Sequence, residues 1–338
     1  MAASFALRPL AALTAAVVMI SVCSVHVARA ASANEYALLQ QIPAAVLDTV
    51  TNNAEPDSNG AMQLNRQRWT DIVYQRIAIP LIWVGAVEND TAKIDDGWKA
   101  IDFANAHMTA DGGFSTAPGR TMNESEMAMW IEAVAHALTV LNESPLKARY
   151  ASRSTNELGY LRKNVDWLNT SDRVAALLRF DTPATNRLFV DAAAFGYASY
   201  LLNDPSLRDR AQFFLDHALA QQRSDGAFVE ERGFDSSYQG VSLLHATYVA
   251  LLLDDANLRS ALLSGTHREV AAIGPGGNVD TSQNTRTGGT HTINGQPYGI
   301  DTRSLVLGLY YAGIYLPEPD AVAAAKRVFA RAFHQPAP

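Results

Sequence analysis

Apolar residues recur at three- and four-residue intervals along almost the whole chain, and alternation typical of strands is nearly absent. This spacing puts the apolar side chains on one face of each helix, so the chain must bury its helices against one another. The pattern predicts about eleven helices, at residues 35–53, 63–88, 92–109, 123–143, 146–169, 183–203, 207–222, 237–254, 256–270, 301–315 and 318–334. No Gly/Ser linker or charge run divides them, so we expect one all-α domain.

Composition excludes several classes of protein. The 338 residues are 48% hydrophobic, which is typical of a globular chain and excludes global disorder. A net charge of −7 argues against a nucleic-acid partner held by bulk charge. Because Cys23 is the only cysteine, the chain can form no internal disulfide and has no later catalytic thiol or Cys-based zinc site.

The first thirty residues have the organisation of a secretory signal peptide. Arg8 precedes an apolar run over residues 11–22, and small residues precede a cleavage point after Ala30. A lipid on Cys23 is the alternative, but the valine before it disfavours that interpretation. Removal of residues 1–30 would make the net charge more negative and remove the cysteine. We therefore expect a periplasmic or secreted mature domain over residues 31–338.

Helix-start signals agree with the predicted boundaries. Asn123 and Glu126 have the spacing of a capping box. Thr182 and Pro183 have the pattern of an N-cap followed by proline at the first helical position. Asp301 is a further N-cap candidate before an apolar helix.

A weak internal repeat indicates how the helices are arranged. Residues 111–114 (Asp-Gly-Gly-Phe) and 225–228 (Asp-Gly-Ala-Phe) each follow a predicted helix, and the glycine-rich residues 274–277 follow about fifty residues later. Repeated helix pairs either stack into an open solenoid or close into an α/α toroid. Because the helices after these turns are rich in Tyr, Phe, His and Asn, we expect closure around one cavity. The predicted fold is a toroid of about five to six helical hairpins.

Two segments at predicted helix starts hold candidate polar groups. Residues 181–189 include Asn186 in a first helical turn, where its amide could face a cavity or solvent. Residues 225–239 combine an Asp-Gly turn with Arg232 in a loop and Tyr238 at a helix start. An aromatic residue at a helix start can equally be an ordinary amphipathic side chain, so both interpretations stay open.

A histidine and a third segment add to these candidates. His245 follows Tyr238 by seven residues, so the two share one helical face, although a hydrogen-bonded core histidine is the plainer interpretation. Residues 288–299 belong to a loop of about thirty residues, a length that is usually functional or disordered. His291 and Tyr298 in this loop are residue types that suit a hydroxyl-rich ligand.

Several chemistries lack their motifs. The chain has no GxGxxG before a strand, no Walker loop, no HExxH and no GxSxG. The aspartate pairs at residues 95–96 and 254–255 are isolated and form no obvious metal-binding cluster. These absences direct attention to the three polar segments.

The second segment resembles part of the alginate lyase family of α/α-toroid polysaccharide lyases. The family has a DG turn, an arginine and then a tyrosine that begins an inner helix, which here correspond to residues 225–226, Arg232 and Tyr238. It also has an Asn-His pair on an earlier inner helix, and Asn186 lies at a similar distance upstream. The resemblance covers roughly residues 180–250.

The sequence departs from this family at one position. Arg187 follows Asn186 where the family has histidine. The sequence Thr185-Asn186-Arg187 is more similar to the Asn segment of related toroid lyases that act on hyaluronan or chondroitin. In those lyases a histidine comes from a neighbouring loop. His245 or His291 would take that role here.

The resemblance implies a lyase that cleaves a uronic-acid polymer of the alginate or glucuronan type. β-Elimination removes the C5 proton beside a carboxylate and expels the oxygen at C4. Asn186 and Arg232 would bind that carboxylate and stabilise its developing charge. Tyr238 would transfer the protons, and Arg232 would lower the pKa of its hydroxyl. This scheme uses no metal and no cofactor.

The expected partner is an anionic polysaccharide, with no nucleic acid and, after signal cleavage, no membrane; the oligomeric state is left open. An acidic protein needs a local basic groove to hold such a polymer, which makes Arg187 and Arg303 candidate substrate contacts together with Tyr298, Glu231 and Trp130. One alternative is a glycoside hydrolase of the same architecture, with its carboxylate pair among Glu126, Glu230, Glu231, Asp235 and Asp301. The other is a glycan-binding protein without catalysis.

Overall fold

The computed structural model describes residues 34–62, 71–115, 122–231, 233–288, 292–293 and 296–333. Helices dominate this part of the chain, which confirms the all-α class. The helices are α1 Glu35–Leu39, α2 Ala44–Thr51, α3 Ile72–Gln75, a 3₁₀ turn Arg76–Ala78, α4 Pro80–Glu88, α5 Thr91–Asn105, α6 Glu124–Glu143, α7 Lys147–Leu168, α8 Ser171–Asp181, α9 Thr185–Leu202, α10 Pro205–Leu219, α11 Ser236–Leu252, α12 Ala256–Ala271, α13 Thr302–Tyr315 and α14 Pro319–Phe333. A two-residue hairpin pairs β1 Thr292–Ile293 antiparallel with β2 Gln296–Pro297.

Helix starts agree with the sequence at two positions and differ at a third. Asn123 forms the predicted capping box with Glu126, and the Asp301 carboxylate accepts a bond from the backbone N–H of the helix it caps. The Thr182–Pro183 start is wrong, because α9 begins at Thr185. Thr182 instead ends α8, a helix that the periodicity did not predict.

The long helices are of two kinds. Helices α4, α6, α9, α11 and α13 are buried on most sides, whereas α5, α7, α10, α12 and α14 each have an exposed polar face. The buried helices pack in series, α4 on α6, α6 on α9, α9 on α11 and α11 on α13, and α2 contacts both α13 and α4. Each helix of the second kind packs mainly on the buried helix that precedes it in the chain. Helix α2 therefore connects the last buried helix of the series, α13, to the first, α4.

Similar turns precede four of these helices. Residues 56–62, 108–114, 222–228 and 273–279 are each closed by an antiparallel backbone pairing. In the third turn Gly226 has φ +87°, and a Cβ there would lie 2.5 Å from the Ser264 carbonyl oxygen, so only glycine fits. The last three turns contain the predicted repeat. The first was missed because it reads Asp-Ser-Asn-Gly rather than Asp-Gly.

Within the described residues no helix combines the length and apolarity needed to cross a bilayer. The predicted signal peptide, including Cys23 and Ala30, lies outside these residues.

Candidate functional site

The first two polar segments meet through their backbones. Thr185 donates its N–H to the Val229 carbonyl at 3.0 Å, and Glu231 donates to the Pro183 carbonyl at 3.0 Å. These bonds fasten the loop before α11 to the start of α9. Because the two segments are distant in sequence, this contact is a property of the tertiary fold that spacing alone could not establish.

Asp235 joins the long loop to the same place. Its buried carboxylate accepts bonds from the N–H groups of Ser237 at 3.0 Å, Arg286 at 2.9 Å and Thr287 at 2.7 Å, and from the Thr287 hydroxyl at 2.7 Å. Both oxygens are therefore occupied. Asp235 holds the loop and caps α11, which disfavours its predicted place in a hydrolase carboxylate pair.

Tyr238 lies at the centre of a group that we call the Tyr238 cluster: Tyr238, Tyr298, Arg286, Glu230 and Glu231. The hydroxyl oxygens of Tyr238 and Tyr298 are 3.4 Å apart, and the Arg286 guanidinium carbon lies 4.4 Å from the Tyr238 ring centroid. Arg286 also pairs with Glu230 and, at 3.3 Å, with Glu231. The structure therefore brings four predicted residues together: Tyr238, Tyr298, Glu230 and Glu231.

The expected lowering of the Tyr238 pKa is wrong. Burial raises this pKa, and the hydrogen bond to Tyr298 raises it further, whereas Arg286 opposes the shift without reversing it. Tyr238 therefore stays protonated and is unsuited to act as the base. Arg232, predicted to lower the pKa, lies outside the described residues. The guanidinium found beside the tyrosine belongs to Arg286, which sequence reasoning missed because no motif marks it.

Asn186 and Arg187 lie in the first turn of α9. Asn186 is 9% exposed and its Oδ1 atom has no hydrogen-bond partner, so this amide is free to meet a ligand. Arg187 pairs with the buried Asp181 carboxylate at 3.4 Å, which also accepts a bond from the Ser125 hydroxyl at 2.5 Å. Arg187 is therefore partly committed to its own protein. Asp191, on the same helix, is buried, and this burial raises its pKa well above the usual range.

Three other predicted residues have structural roles. Trp130 is fully buried and packs edge-on against Phe114, with ring centroids 5.6 Å apart, so its position contradicts a substrate contact. Glu126 completes the capping box of α6, and Asp301 caps α13. Of the carboxylates proposed for a hydrolase pair, Glu230 and Glu231 remain.

His245 lies about 10 Å further along α11 than Tyr238, at 1.5 Å per residue. It lines a cavity of about 220 Å³, which we call the His245 cavity. The wall comes from α2, the 3₁₀ turn, α4, α6, α11 and α13, and its charged and polar groups are Arg76, Glu132, His136, His245, Tyr248 and Arg303. Arg303 and His245 were predicted site residues. The histidine at 291 lies outside the described residues.

Burial determines the charge state of the His245 cavity. It raises the pKa of Glu132 to about 7, although His136 and Arg76 oppose the shift. It lowers the pKa of His245 to about 3, helped by the positive charges of Arg76 and His136. The Nδ1 atom of His245 lies 3.8 Å from Oε1 of Glu132, too far for a hydrogen bond. His245 is therefore a neutral imidazole whose Nδ1 atom has no hydrogen-bond partner.

The two arginines of this cavity keep donor capacity. The Nε atoms of Arg76 and Arg303 are buried and have no hydrogen-bond partner. Burial lowers the pKa of Arg76, while Glu132 raises it. An unpaired buried guanidinium donor is costly, so an acceptor from outside the chain would be stabilising here.

A fully buried carboxylate lies behind His136. Glu35, the first residue of α1, has Oε1 2.9 Å from Nε2 of His136 and accepts bonds from the hydroxyls of Tyr197 at 2.5 Å and Tyr311 at 3.1 Å. These partners come from α6, α9 and α13. Glu35 therefore ties the start of the described chain to three buried helices and fixes the His136 ring.

Within the described ranges, no group of three or more His, Cys, Asp or Glu side chains is arranged to hold a metal ion. Comparison with known proteins does not identify a family, because no family model, curated protein or solved structure matches the chain.

Proposed function

We propose that this protein is an exported polysaccharide lyase of the α/α-toroid type that acts on a uronic-acid polymer. The series of buried helices that returns to α4 through α2 supports the toroid. The signal-peptide pattern of residues 1–30 supports export to the periplasm or beyond.

The observation that carries the proposal is the composition of the His245 cavity. Arg76 and Arg303 offer unpaired guanidinium donors beside the neutral imidazole of His245. Guanidinium groups match carboxylate oxygens in geometry and charge. A uronate carboxylate bound there would bring the adjacent C5–H bond towards His245.

The reaction then proceeds by elimination. His245 takes the C5 proton, and the electron pair left on carbon delocalises into the carboxylate held by Arg76 and Arg303. The pair then forms the C4–C5 double bond as the C4–oxygen bond breaks. The His245 imidazolium then donates this proton to the departing oxygen, and Tyr238, about 10 Å away along α11, contacts the neighbouring sugar. The bound anion raises the pKa of His245, because it offsets the positive charges that depress it.

The remaining predicted residues would contact the polymer outside the reacting sugar. Asn186 has an unpaired amide oxygen, and Tyr298 and Glu231 belong to the Tyr238 cluster. Arg187 would have to exchange its contact with Asp181 for the substrate.

A hydrolase is the second candidate, and Glu132 favours it. A carboxyl group with a pKa of about 7 can act as general acid near neutrality. Glu132 was not among the carboxylates predicted from sequence. In this alternative Glu230 or Glu231 would have to supply the second carboxylate.

The test is incubation of the purified mature protein with alginate, glucuronan and hyaluronan, followed by ultraviolet absorbance and reducing-end assays. The lyase proposal expects new reducing ends with an equal yield of absorbing unsaturated ends. Reducing ends without absorbance would replace it with the hydrolase. Retention on immobilised polymer without either product would replace it with a non-catalytic glycan-binding protein.

A further inference from the structure

A second cavity lies between two helices that do not line the His245 cavity. It measures about 740 Å³ and opens between α5 and α7. We call it the α5–α7 groove, and its principal lining residues are Trp98, Asp102, Asn105, Arg153, Glu157 and Tyr160. None of these residues takes part in the proposed reaction.

Buried polar atoms in this groove lack partners. The indole Nε1 of Trp98, Oδ1 of Asn105 and Oε1 of Glu157 are buried without a hydrogen bond. Trp98 is 1% exposed and Glu157 is 4% exposed, so solvent does not compensate them freely. Asn105 donates through Nδ2 to Oε2 of Glu157 at 2.8 Å, which holds the two side chains in place. The Trp98 donor, the Asn105 amide oxygen and one carboxyl oxygen of Glu157 thus have no hydrogen-bond partner.

Charges in the groove are nearly balanced. Arg153 pairs with Asp102, and its guanidinium carbon lies 4.8 Å from the Trp98 ring centroid. Burial raises the pKa of Glu157 to about 8, so this carboxyl is mostly neutral below that pH. Among the described residues that line the groove, the cation is Arg153, and its charge is already paired. Tyr160 adds an aromatic ring at the exposed edge, where it is 37% exposed.

We propose that the α5–α7 groove binds a neutral saccharide. Sugar hydroxyls both donate and accept hydrogen bonds. They therefore match the unpaired donor of Trp98, the acceptor of Asn105 and the free oxygen of the Glu157 carboxyl, which donates when it is protonated and accepts when it is ionised. The exposed ring of Tyr160 provides an apolar surface for the sugar face. This binding needs neither the His245 cavity nor elimination, so it does not depend on the proposed function.

The test uses the full mature protein labelled with ¹⁵N. The Trp98 indole resonance is assigned as the one lost in Trp98→Phe, and the protein is titrated with neutral tetrasaccharides of glucose, mannose and xylose and, separately, with a mannuronate tetrasaccharide. We expect a saturable shift of this resonance with a neutral tetrasaccharide. Asn105→Ala should weaken binding about tenfold, because it removes an acceptor and frees Glu157.

Two further variants keep the result interpretable. Tyr160→Ala changes an exposed side chain and should also weaken binding while the fold is retained, and Ser152→Ala, an exposed change on α7, should have no effect. The proposal fails if no neutral tetrasaccharide shifts the resonance to saturation. It also fails if only the mannuronate probe does so, or if Asn105→Ala and Tyr160→Ala bind like wild type.

Discussion

Tyr238 and His245 both lie on α11, but the Tyr238 cluster and the His245 cavity differ in how their charged groups are paired. In the cluster, Arg286 faces two carboxylates, Glu230 and Glu231, so its positive charge is already neutralised. In the cavity, the described lining contains two arginines, Arg76 and Arg303, and one carboxyl, that of Glu132, which burial holds partly protonated.

This difference indicates where an anion would bind. The guanidinium of the cluster is paired without a ligand, although one buried oxygen of Glu230 lacks a partner, whereas the cavity has guanidinium donors that the protein itself does not satisfy. Because the two places lie about 10 Å apart along α11, neighbouring sugars of one polymer could occupy both. We therefore assign recognition of the carboxylate and both proton transfers to the cavity, and contact with the neighbouring sugar to the cluster.

The largest effect is expected from His245→Ala. Loss of the base should lower the initial rate of ultraviolet-absorbing product by about 10³-fold, within the usual range for general base catalysis. His267→Ala on α12, where the side chain is 60% exposed, is the matched control and should keep wild-type activity. If His245→Ala retains the wild-type rate, proton abstraction does not occur in the cavity and the comparison above loses its basis.

Glu132 should make stability depend on pH with a definite sign. Its pKa is about 7 in the folded protein against an ordinary 4.5, so the stabilisation it provides is complete below pH 4.5 and is lost as pH rises through 7. The free energy of unfolding of wild type relative to Glu132→Gln should fall by on the order of 3 kcal/mol across this interval.

The measurement is urea unfolding of both proteins at several pH values. Glu157 and Glu269, whose pKa values burial raises to about 8, give the same trend in both proteins, so only the difference between them reports Glu132. A difference that does not change with pH would show that Glu132 titrates normally and that the cavity is not desolvated.

Arg303→Ala tests the cavity as a carboxylate site. Loss of a charged donor should raise KM for the uronate polymer tenfold to a hundredfold, because a charge-assisted hydrogen bond contributes about 1.5–3 kcal/mol. Arg331→Ala, an exposed change on α14, is the control. An unchanged KM and rate in Arg303→Ala, read from the ultraviolet signal, would remove this residue from substrate binding.

The fold was more predictable than the site. Apolar periodicity located the long helices correctly, because each must bury one face. It missed α8, a helix of 11 residues between two longer ones. It also predicted single helices over residues 35–53 and 63–88, where the structure has α1 and α2 and, from residue 72 on, α3, the 3₁₀ turn and α4. The cavity residues Glu132 and His136 had a signal that was overlooked, since they are polar residues four apart on an otherwise apolar stretch of α6. Such a pair in a buried helix indicates a polar interior.

Other features could not have been predicted. Arg286 reaches Tyr238 because Asp235 fastens the long loop to α11, and no spacing in the sequence specifies that contact. The Tyr238 pKa depends on burial and on Tyr298, sixty residues away in sequence. The sequence indicates which residue types suit the chemistry, but the protonation state of each side chain depends on its surroundings in the packed fold.

The smallest effect is expected from Glu231→Gln, and Glu230→Gln is its matched comparison. Both carboxylates pair with Arg286, but the Glu230 side chain is 2% exposed and that of Glu231 is 53% exposed. Solvent screens the outer pair, so Glu231→Gln should cost at most about 0.5 kcal/mol of unfolding free energy, against about 2 kcal/mol for Glu230→Gln. Urea unfolding at one pH measures both. Equal costs would mean that Arg286 is held by both carboxylates alike and that the Tyr238 cluster is as desolvated as the His245 cavity.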